Sequence, residues 1–378
     1  MGYDFRALND KEFEAFACDL LGELLGVRIE RFKPGRDAGV DGRYFSAGEE
    51  CILQCKHWIN SPSSALVRQF SGPERAKVAR LKPTRYLVAV SNPLSRSEKK
   101  AIAEGLAPFV LSQDDIFGQE DLNDLLAARP AVELRHHKLW LQSAAALTNI
   151  FQAAIIGRSR FALQEILATS SIYVRTISHG LAAEQLDRLG VVIVTGEPGV
   201  GKTTLAEQLC LDFGADGYQF LKMSGDLSEA EAALRSDDKQ IFYFDDFLGR
   251  NYLDAIGADE GAGITQFIRR VAQNRTKRFV LTSRSTILNQ GRLLFDHLQS
   301  KAVRNNEYEL KIGSFTELDK ARILYNHIWH SDLPPEFVDE LYVEKRYKTI
   351  IRHKNFNPRL ISFITDSSRL EFGDANAY

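Results

Sequence analysis

The sequence predicts an α/β protein: a small α/β module, then a larger one, then a run of helices. Three observations lead there. Val191–Leu205 reads as a buried strand, a Gly-rich turn and a helix that opens on Lys202-Thr203. Apolar runs at 239–248 and 277–285 follow it with the spacing of further buried strands. Ahead of it, residues 1–130 carry their own alternation of helix and strand patterns and stop at Arg129-Pro130, where a helix must end. A chain of 378 residues leaves room for two or three domains. We place boundaries at 1–130, 131–185 (helical linker and the start of the second module), 186–312 and 313–378.

Composition narrows the function classes. The chain is 44% hydrophobic and 26% charged, ordinary globular values, and its net charge of −2 supplies no global field for a polyanion. The field is local instead: from Arg68 to Lys100 there are nine Lys/Arg against two acids, Glu74 and Glu98. The four cysteines, Cys18, Cys51, Cys55 and Cys210, show neither metal-ligand nor disulfide spacing, which suits a reducing cytoplasm. No apolar run approaches the roughly 18 residues of a membrane helix, and the N-terminus lacks a signal-peptide pattern. A cytoplasmic protein with no membrane partner is expected.

The turn after the 191–195 strand has the form G-x-x-x-x-G-K-T, with the strand before it and the helix after it that a phosphate loop requires. Its glycines let successive backbone N–H groups point at one anion, and the helix N-terminus adds positive potential. Gly196, Glu197, Pro198, Gly199, Val200, Gly201, Lys202, Thr203 and Thr204 would cradle a nucleoside triphosphate, with Lys202 on the β- and γ-phosphates and Thr203 on Mg²⁺. The 239–248 run ends in Asp245-Asp246, a Walker B strand: Asp245 would hold Mg²⁺ and Asp246 would polarise the attacking water. ATP or ADP with Mg²⁺ is the expected cofactor set.

The first module carries a second constellation. Residues 9–25 read as a helix capped by Asn9 or Asp10, with Phe13, Phe16, Ala17, Leu20 and Leu21 on its apolar face and Glu14 inside that face, where a carboxylate needs a partner or a task. A Gly-rich turn over 32–40 leads to Asp41 at the start of a strand. A second strand, 50–58, alternates so that Ile52, Gln54 and Lys56 share one face. Asp41, Gln54 and Lys56 can therefore converge where adjacent strands run together. A carboxylate and an amide oxygen can bind Mg²⁺ while a lysine stabilises a phosphate or orients water. Gln in place of an acid weakens the metal set until phosphates arrive.

With Glu14, the run Gly35-Arg36-Asp37-Ala38-Gly39-Val40-Asp41-Gly42 and Gln54-Cys55-Lys56, the segment resembles the Mrr-like branch of the PD-(D/E)xK nucleases over roughly residues 3–125. The resemblance implies a restriction-endonuclease-like fold, double-stranded DNA as substrate, and Glu14, Asp41, Gln54 and Lys56 as the catalytic set, with Glu14, Asp41 and Gln54 on the metal. The pattern then continues with a basic helix at 63–80 carrying Gln69, a strand at 85–91, a helix at 95–106, a short strand at 108–112 and a closing helix at 114–128 capped at Asp114 or Asp115.

Residues 132–168 read as mostly helical, with His136 and His137 as linker surface. The 277–285 strand ends in Thr-Ser-Arg. Together with the two Walker motifs this resembles the STAND branch of AAA+-like signalling ATPases, in which Arg284 would contact the γ-phosphate. Tyr173 and Val174 stand where such proteins contact adenine. Residues 314–328 open with a Thr316–Asp319 capping box, and 352–364 resembles the helical lid, where Asn357-Pro358-Arg359 reports the nucleotide state and His353 is a weaker candidate. Arg269, Arg270 and Arg275 are the candidates for an arginine finger, in the region 249–275, where Gly257, Gly261 and Gly263 suggest a mobile loop before an amphipathic helix.

The two resemblances imply an effector–switch fusion of the prokaryotic antiphage type. A STAND switch with slow ATPase activity would drive homo-oligomerisation and so activate a Mg²⁺-dependent DNA endonuclease, in response to a phage-derived trigger or a separate sensor. Two other readings are an ATP-dependent restriction enzyme with a DNA-stimulated motor, and a catalytically silent DNA-binding regulator. Relatives continue past the lid into a sensor array, so a chain ending here is expected to be a truncated protein or one served by another molecule.

Overall fold

A computed structural model describes residues 2–31, 40–58, 61–153, 157–223, 227–246, 266–284 and 307–367. The chain divides into two compact units, Met1–Ser143 and Ala144–Tyr378.

The first unit is a four-stranded sheet covered on both faces. Helix α1 (Asp10–Leu25) starts at Asn9, whose side chain accepts the Glu12 N–H while Glu12 returns the bond, and it ends on Gly26 with φ +66°. Strands β1 (Gly42–Ser46) and β2 (Glu49–Lys56) form an antiparallel pair. Helix α2 (Ser63–Gln69) and helix α3 (Arg75–Leu81) follow, then β3 (Arg85–Val90), α4 (Arg96–Leu106), β4 (Ile116–Phe117) and α5 (Gln119–Ala127). β2, β3 and β4 are parallel, in the order β1-β2-β3-β4. Alternation along β2 builds two cores. Cys51, Leu53 and Cys55 pack with Phe13, Phe16 and Leu20 of α1, and Ile52 packs with Leu66, Phe70, Val78 and Ile102.

Three expectations for this unit are corrected. The 63–80 helix is interrupted by a π-turn at Phe70–Glu74 that contains Pro73. Proline lacks an N–H and its ring crowds the carbonyl four residues back, so the helix widens there. The strand expected at 108–112 is instead β4 at Ile116–Phe117; Pro108 has no N–H for a ladder. Neither Asp114 nor Asp115 caps the closing helix. Asp115 is 1% exposed, takes two bonds from Arg85 at 2.6 and 3.0 Å and one from the Leu111 N–H at 2.9 Å, and α5 starts after Gly118.

The boundary expected at residue 130 also moves. Pro130–Arg135 is helical, Val132 and Leu139 join the α1 core, and Lys138 reaches Glu12 at 2.8 Å, so the unit runs on to Ser143. His136 is not linker surface: its Nε2 lies 3.0 Å from Asp19 Oδ2 and its ring meets Phe16 edge-on.

The second unit opens with α6 (Ala144–Ala153), α7 (Gly157–Thr169) and α8 (Ile177–Leu189). Its parallel sheet holds β5 (Val191–Gly196), β6 (Gln219–Lys222), β7 (Gln240–Phe244), β8 (Lys277–Arg284) and β9 (Glu309–Lys311), in the order β6-β7-β8-β5-β9. Helix α9 (Lys202–Ala215) follows β5 directly. The sheet core is Val191, Leu221, Phe242, Phe279 and Leu281 with Phe267 of a neighbouring helix, and β5 and β7 are buried along nearly their whole length. The lid comprises α10 (Glu317–Trp329), opened by the Thr316–Asp319 capping box, α11 (Tyr347–Arg352) and α12 (Pro358–Ile364). It has its own small core of Ile323, Leu324, Ile351, Phe356 and Ile361. The lid and the ATPase core belong to one compact unit rather than to separate domains.

Candidate functional site

In the first unit, the end of β2 gathers the polar groups. Asp41 stands immediately before β1, and its carboxylate accepts the Cys55 backbone N–H at 2.8 Å and the Gln54 amide N–H. Gln54 is 2% exposed; its Oε1 accepts from Lys77 Nζ at 2.6 Å and from Tyr86 OH at 3.2 Å. This amide orientation is the one charge demands: turned over, its oxygen would face a carboxylate and its N–H groups an ammonium. Lys56 Nζ lies 2.9 Å from Glu74 Oε1, and Lys77 Nζ lies 3.2 Å from the other oxygen of Glu74. Asp41, Gln54 and Lys56 converge as their strand positions imply.

Electrostatics distinguishes the three acids. Burial pushes the Asp41 carboxyl above its ordinary value, against the Cys55 N–H and the charges of Lys56, Lys77 and Lys11. Burial likewise raises Glu14, with the charge of Asp41 adding to the effect, so the two carboxylates feel each other. Lys11 Nζ sits 2.7 and 2.8 Å from the Glu14 oxygens. Glu74 is buried too, but the Lys56 hydrogen bond and the charges of Lys56 and Lys77 outweigh that burial and hold it below the usual range.

A divalent cation suits this donor set. Two neighbouring carboxylates raised above their ordinary range are what an added positive charge relieves, and Mg²⁺ takes oxygen ligands while keeping several waters. Asp41 and Glu14 would hold it, with Gln54 Oε1 joining only if the amide turns away from Lys77. Among the described residues no group of three or more His, Cys, Asp or Glu gathers as a metal site, in keeping with Gln at position 54. The Gly-rich lead-in at 32–39 lies outside the described residues. Sequence reasoning missed Glu74, Lys77 and Tyr86. The available signal was Glu74, one of two acids in the basic run, three residues before Lys77 on a helix face.

In the second unit, Gly199 and Gly201 take φ +84° and +87°, the left-handed turns that wind the loop. Lys202 Nζ folds back onto the carbonyls of Gly196 and Glu197 at 3.1 and 3.0 Å. Asp245 Oδ1 accepts from Thr203 Oγ1 at 3.1 Å and from Thr282 Oγ1 at 2.7 Å. The Asp246 backbone N–H donates to Thr282 Oγ1 at 2.7 Å. Both Walker motifs therefore meet at the ends of β5, β7 and β8. Arg284 pairs with Gly196 through the backbone, and its side chain lies outside the described part. Arg269, Arg270 and Arg275 are exposed; the Gly-rich loop before them is not described.

A cavity of about 470 Å³ lies beside the loop, within the 300–1,000 Å³ range of small-molecule sites. Gly199–Leu205 line it on the loop side with Pro358 and Arg359, and Thr169, Thr176, Glu207 and Ser362 add further polar groups. Ile172, Val174, Ile312, Phe315, Ile323 and His327 line the rest. His327 Nδ1 donates to the Ile323 carbonyl at 2.8 Å, which in the neutral ring makes Nε2 the acceptor, and burial lowers the pKa of the ring, favouring that form. Tyr173 also lines the cavity, but its hydroxyl donates to His179 Nδ1 at 2.9 Å, and His179 Nε2 in turn donates to Asp212 at 3.1 Å. Arg175 reaches the same carboxylate at 2.6 Å. The hydroxyl is thus committed to α8, while the ring faces the cavity.

The lid closes directly on the loop. A methyl group placed on Gly199 would come within 2.9 Å of Asn357 Oδ1 and 3.7 Å of the Arg359 side chain, and one on Gly201 would meet Pro358 at 4.0 Å. Asn357 also caps α12 through the Leu360 N–H at 2.9 Å. His353 accepts the Asn355 N–H at 3.2 Å and serves a local turn.

Residues 5–90 match the restriction endonuclease family model Mrr_cat, and residues 173–330 match Novel STAND NTPase 3. A curated relative, the uncharacterized protein y4cD of Sinorhizobium fredii, is 37% identical over 155 residues, 41% of this chain and 24% of that one. The match spans about a quarter of that relative's length. Among solved structures, the RuvB Holliday junction branch migration motor of Thermotoga maritima aligns at 16% identity and TM-score 0.30, covering 59% of this chain and 65% of that one. PCH-2 of C. elegans aligns at 15% and 0.32, covering 57% and 65%. The chain joins a Mrr-type restriction endonuclease domain to a STAND NTPase domain.

Proposed function

We propose that this endonuclease–NTPase fusion is a defence effector in which the ATP-binding state of the second unit promotes self-assembly and thereby activates Mg²⁺-dependent cutting of double-stranded DNA by the first. The observation that carries the nuclease half is the meeting of Asp41, Gln54 and Lys56 at the end of β2, with Glu14 close enough to share its field. Asp41 and Glu14 would hold the cation, with Gln54 completing the set once its oxygen turns from Lys77. A bound Mg²⁺ supplies charge for the scissile phosphate and a more acidic water. Lys56 keeps its ammonium at the same edge to stabilise the negative charge that grows on the phosphate oxygens.

For the switch, the cavity dimensions, the loop glycines and the Thr203–Asp245 pair support binding of a nucleoside triphosphate with Mg²⁺. His327 favours adenine. Its Nε2 accepts a hydrogen bond, which the 6-amino group of adenine can give and the 6-oxo group of guanine cannot. The closeness of Asn357, Pro358 and Arg359 to the loop glycines supports a role in sensing whether the loop is filled.

The test is plasmid cleavage with Mg²⁺ or Mn²⁺, with particle mass measured under ADP and under a non-hydrolysable ATP analogue. Asp41→Ala and Lys56→Ala are expected to abolish cutting while ATP binding stays intact, and the larger species is expected to be the one that cuts. Unchanged cleavage in both variants sinks the nuclease assignment; identical particle mass with both nucleotides sinks the gating.

A further inference from the structure

The π-turn at Phe70–Glu74 carries Glu74 to the nuclease centre, and α3 carries Lys77 one helical step further on the same face. π-turns recur at functional sites. Glu74 and Lys77 link five side chains of the centre in one path: Asp41 to Gln54, Gln54 to Lys77, Lys77 to Glu74, and Glu74 to Lys56. The path is sheltered, with side-chain exposures of 6% for Glu74, 15% for Lys77 and 19% for Lys56. Two groups the nuclease depends on are committed within it. The Gln54 oxygen is turned to Lys77 and Tyr86 rather than toward the Asp41 side, and the Lys56 ammonium is held by a carboxylate.

We propose that Glu74 and Lys77 are positioning residues of the nuclease centre: Glu74 holds the Lys56 ammonium at the phosphate edge, and Lys77 sets the metal affinity through the Gln54 amide. The inference rests on the nuclease reading of Asp41, Gln54 and Lys56. Lys77 opposes the cation in two ways. It occupies the amide oxygen that would otherwise turn to the metal, and it places a positive charge one amide away from Asp41. The centre is therefore held metal-poor until DNA phosphates add negative charge. Glu74 acts on the other arm, since without its charge the Lys56 side chain has many rotamers open to it.

The test uses the full chain with Glu74→Gln, Lys77→Met and, as the conservative variant, Lys77→Arg. Mn²⁺ affinity is read by calorimetry in the absence of DNA, and plasmid cleavage is read against Mg²⁺ concentration. Lys77→Met is expected to tighten Mn²⁺ binding about threefold or more and to lower the half-saturating Mg²⁺ in step, with Lys77→Arg near the parent. Glu74→Gln is expected to leave Mn²⁺ affinity within about twofold and to cut the rate at saturating metal about tenfold. Should Lys77→Met unfold, Lys77→Gln makes the same measurement. Unchanged metal affinity in the Lys77 variants and an unchanged rate in Glu74→Gln, with Lys56→Ala inactive, overturns the inference and leaves the nuclease reading standing. If the parent does not cut at all, the nuclease reading has failed, and unchanged Mn²⁺ affinity still overturns the role given to Lys77.

Discussion

Replacing Asn357 with alanine probes the link between nucleotide and lid. The side chain does two things. It accepts the Leu360 N–H at 2.9 Å as the cap of α12, a helix of only seven residues, and its Oδ1 lies over Gly199 in the phosphate loop. Losing such a cap costs about 1 kcal/mol, and less where water can replace it. Since 1.4 kcal/mol is about tenfold, the docked position of α12 should become roughly fivefold less populated. Ile361 keeps α12 anchored in the lid core, so the helix shifts rather than unfolds. Fluorescence anisotropy with a labelled ATP should therefore show about fivefold weaker binding in Asn357→Ala, the whole of the docking penalty. Asn357→Ser retains a capping oxygen but is too short to cover Gly199, so its loss should be smaller. ATP affinity equal to the parent's in Asn357→Ala would refute the idea that this lid contact reads the loop.

Two further predictions follow from single groups. His327→Phe keeps the ring but removes the acceptor, so the preference for ATP over GTP in competition binding should fall about tenfold, the worth of one hydrogen bond; an unchanged preference would move base selection elsewhere. Glu74 titrates below its ordinary 4.5 in the folded protein, so its stabilisation is complete above that value and is lost as pH falls through the folded value. Urea melts between about pH 3 and 6 should show a shallower acid-side loss in Glu74→Gln, and equal slopes would contradict the ion-pair account.

Much of this molecule is legible in local sequence. The helices expected from residues 9 and 95 start at Asn9 and Ser95, and the Thr316–Asp319 capping box starts its helix where the residues say it should. The alternation in β2 sends Gln54 and Lys56 to one face, where they meet Lys77 and Glu74, and Asp41 bonds Gln54 there. The misreadings are as informative. Asp115 has the appearance of a helix cap but is drawn into the core by Arg85, thirty residues away in sequence. Tyr173 lines the cavity where a base contact is expected, but its hydroxyl is taken by His179, a partner the sequence does not announce.

By itself the sequence determined the two modules, the phosphate loop and the Asp41–Gln54–Lys56 trio. Each depends on period, turn chemistry or spacing within a few residues, and so survives reading in one dimension. Tertiary structure alone decided which charges pair. It brought Glu74 and Lys77 from a basic run to the ends of Lys56 and Gln54, extended the first unit to Ser143, and set Asn357 over Gly199. A buried charge takes whichever partner packing leaves within about 3 Å, and that choice is made across the chain rather than along it.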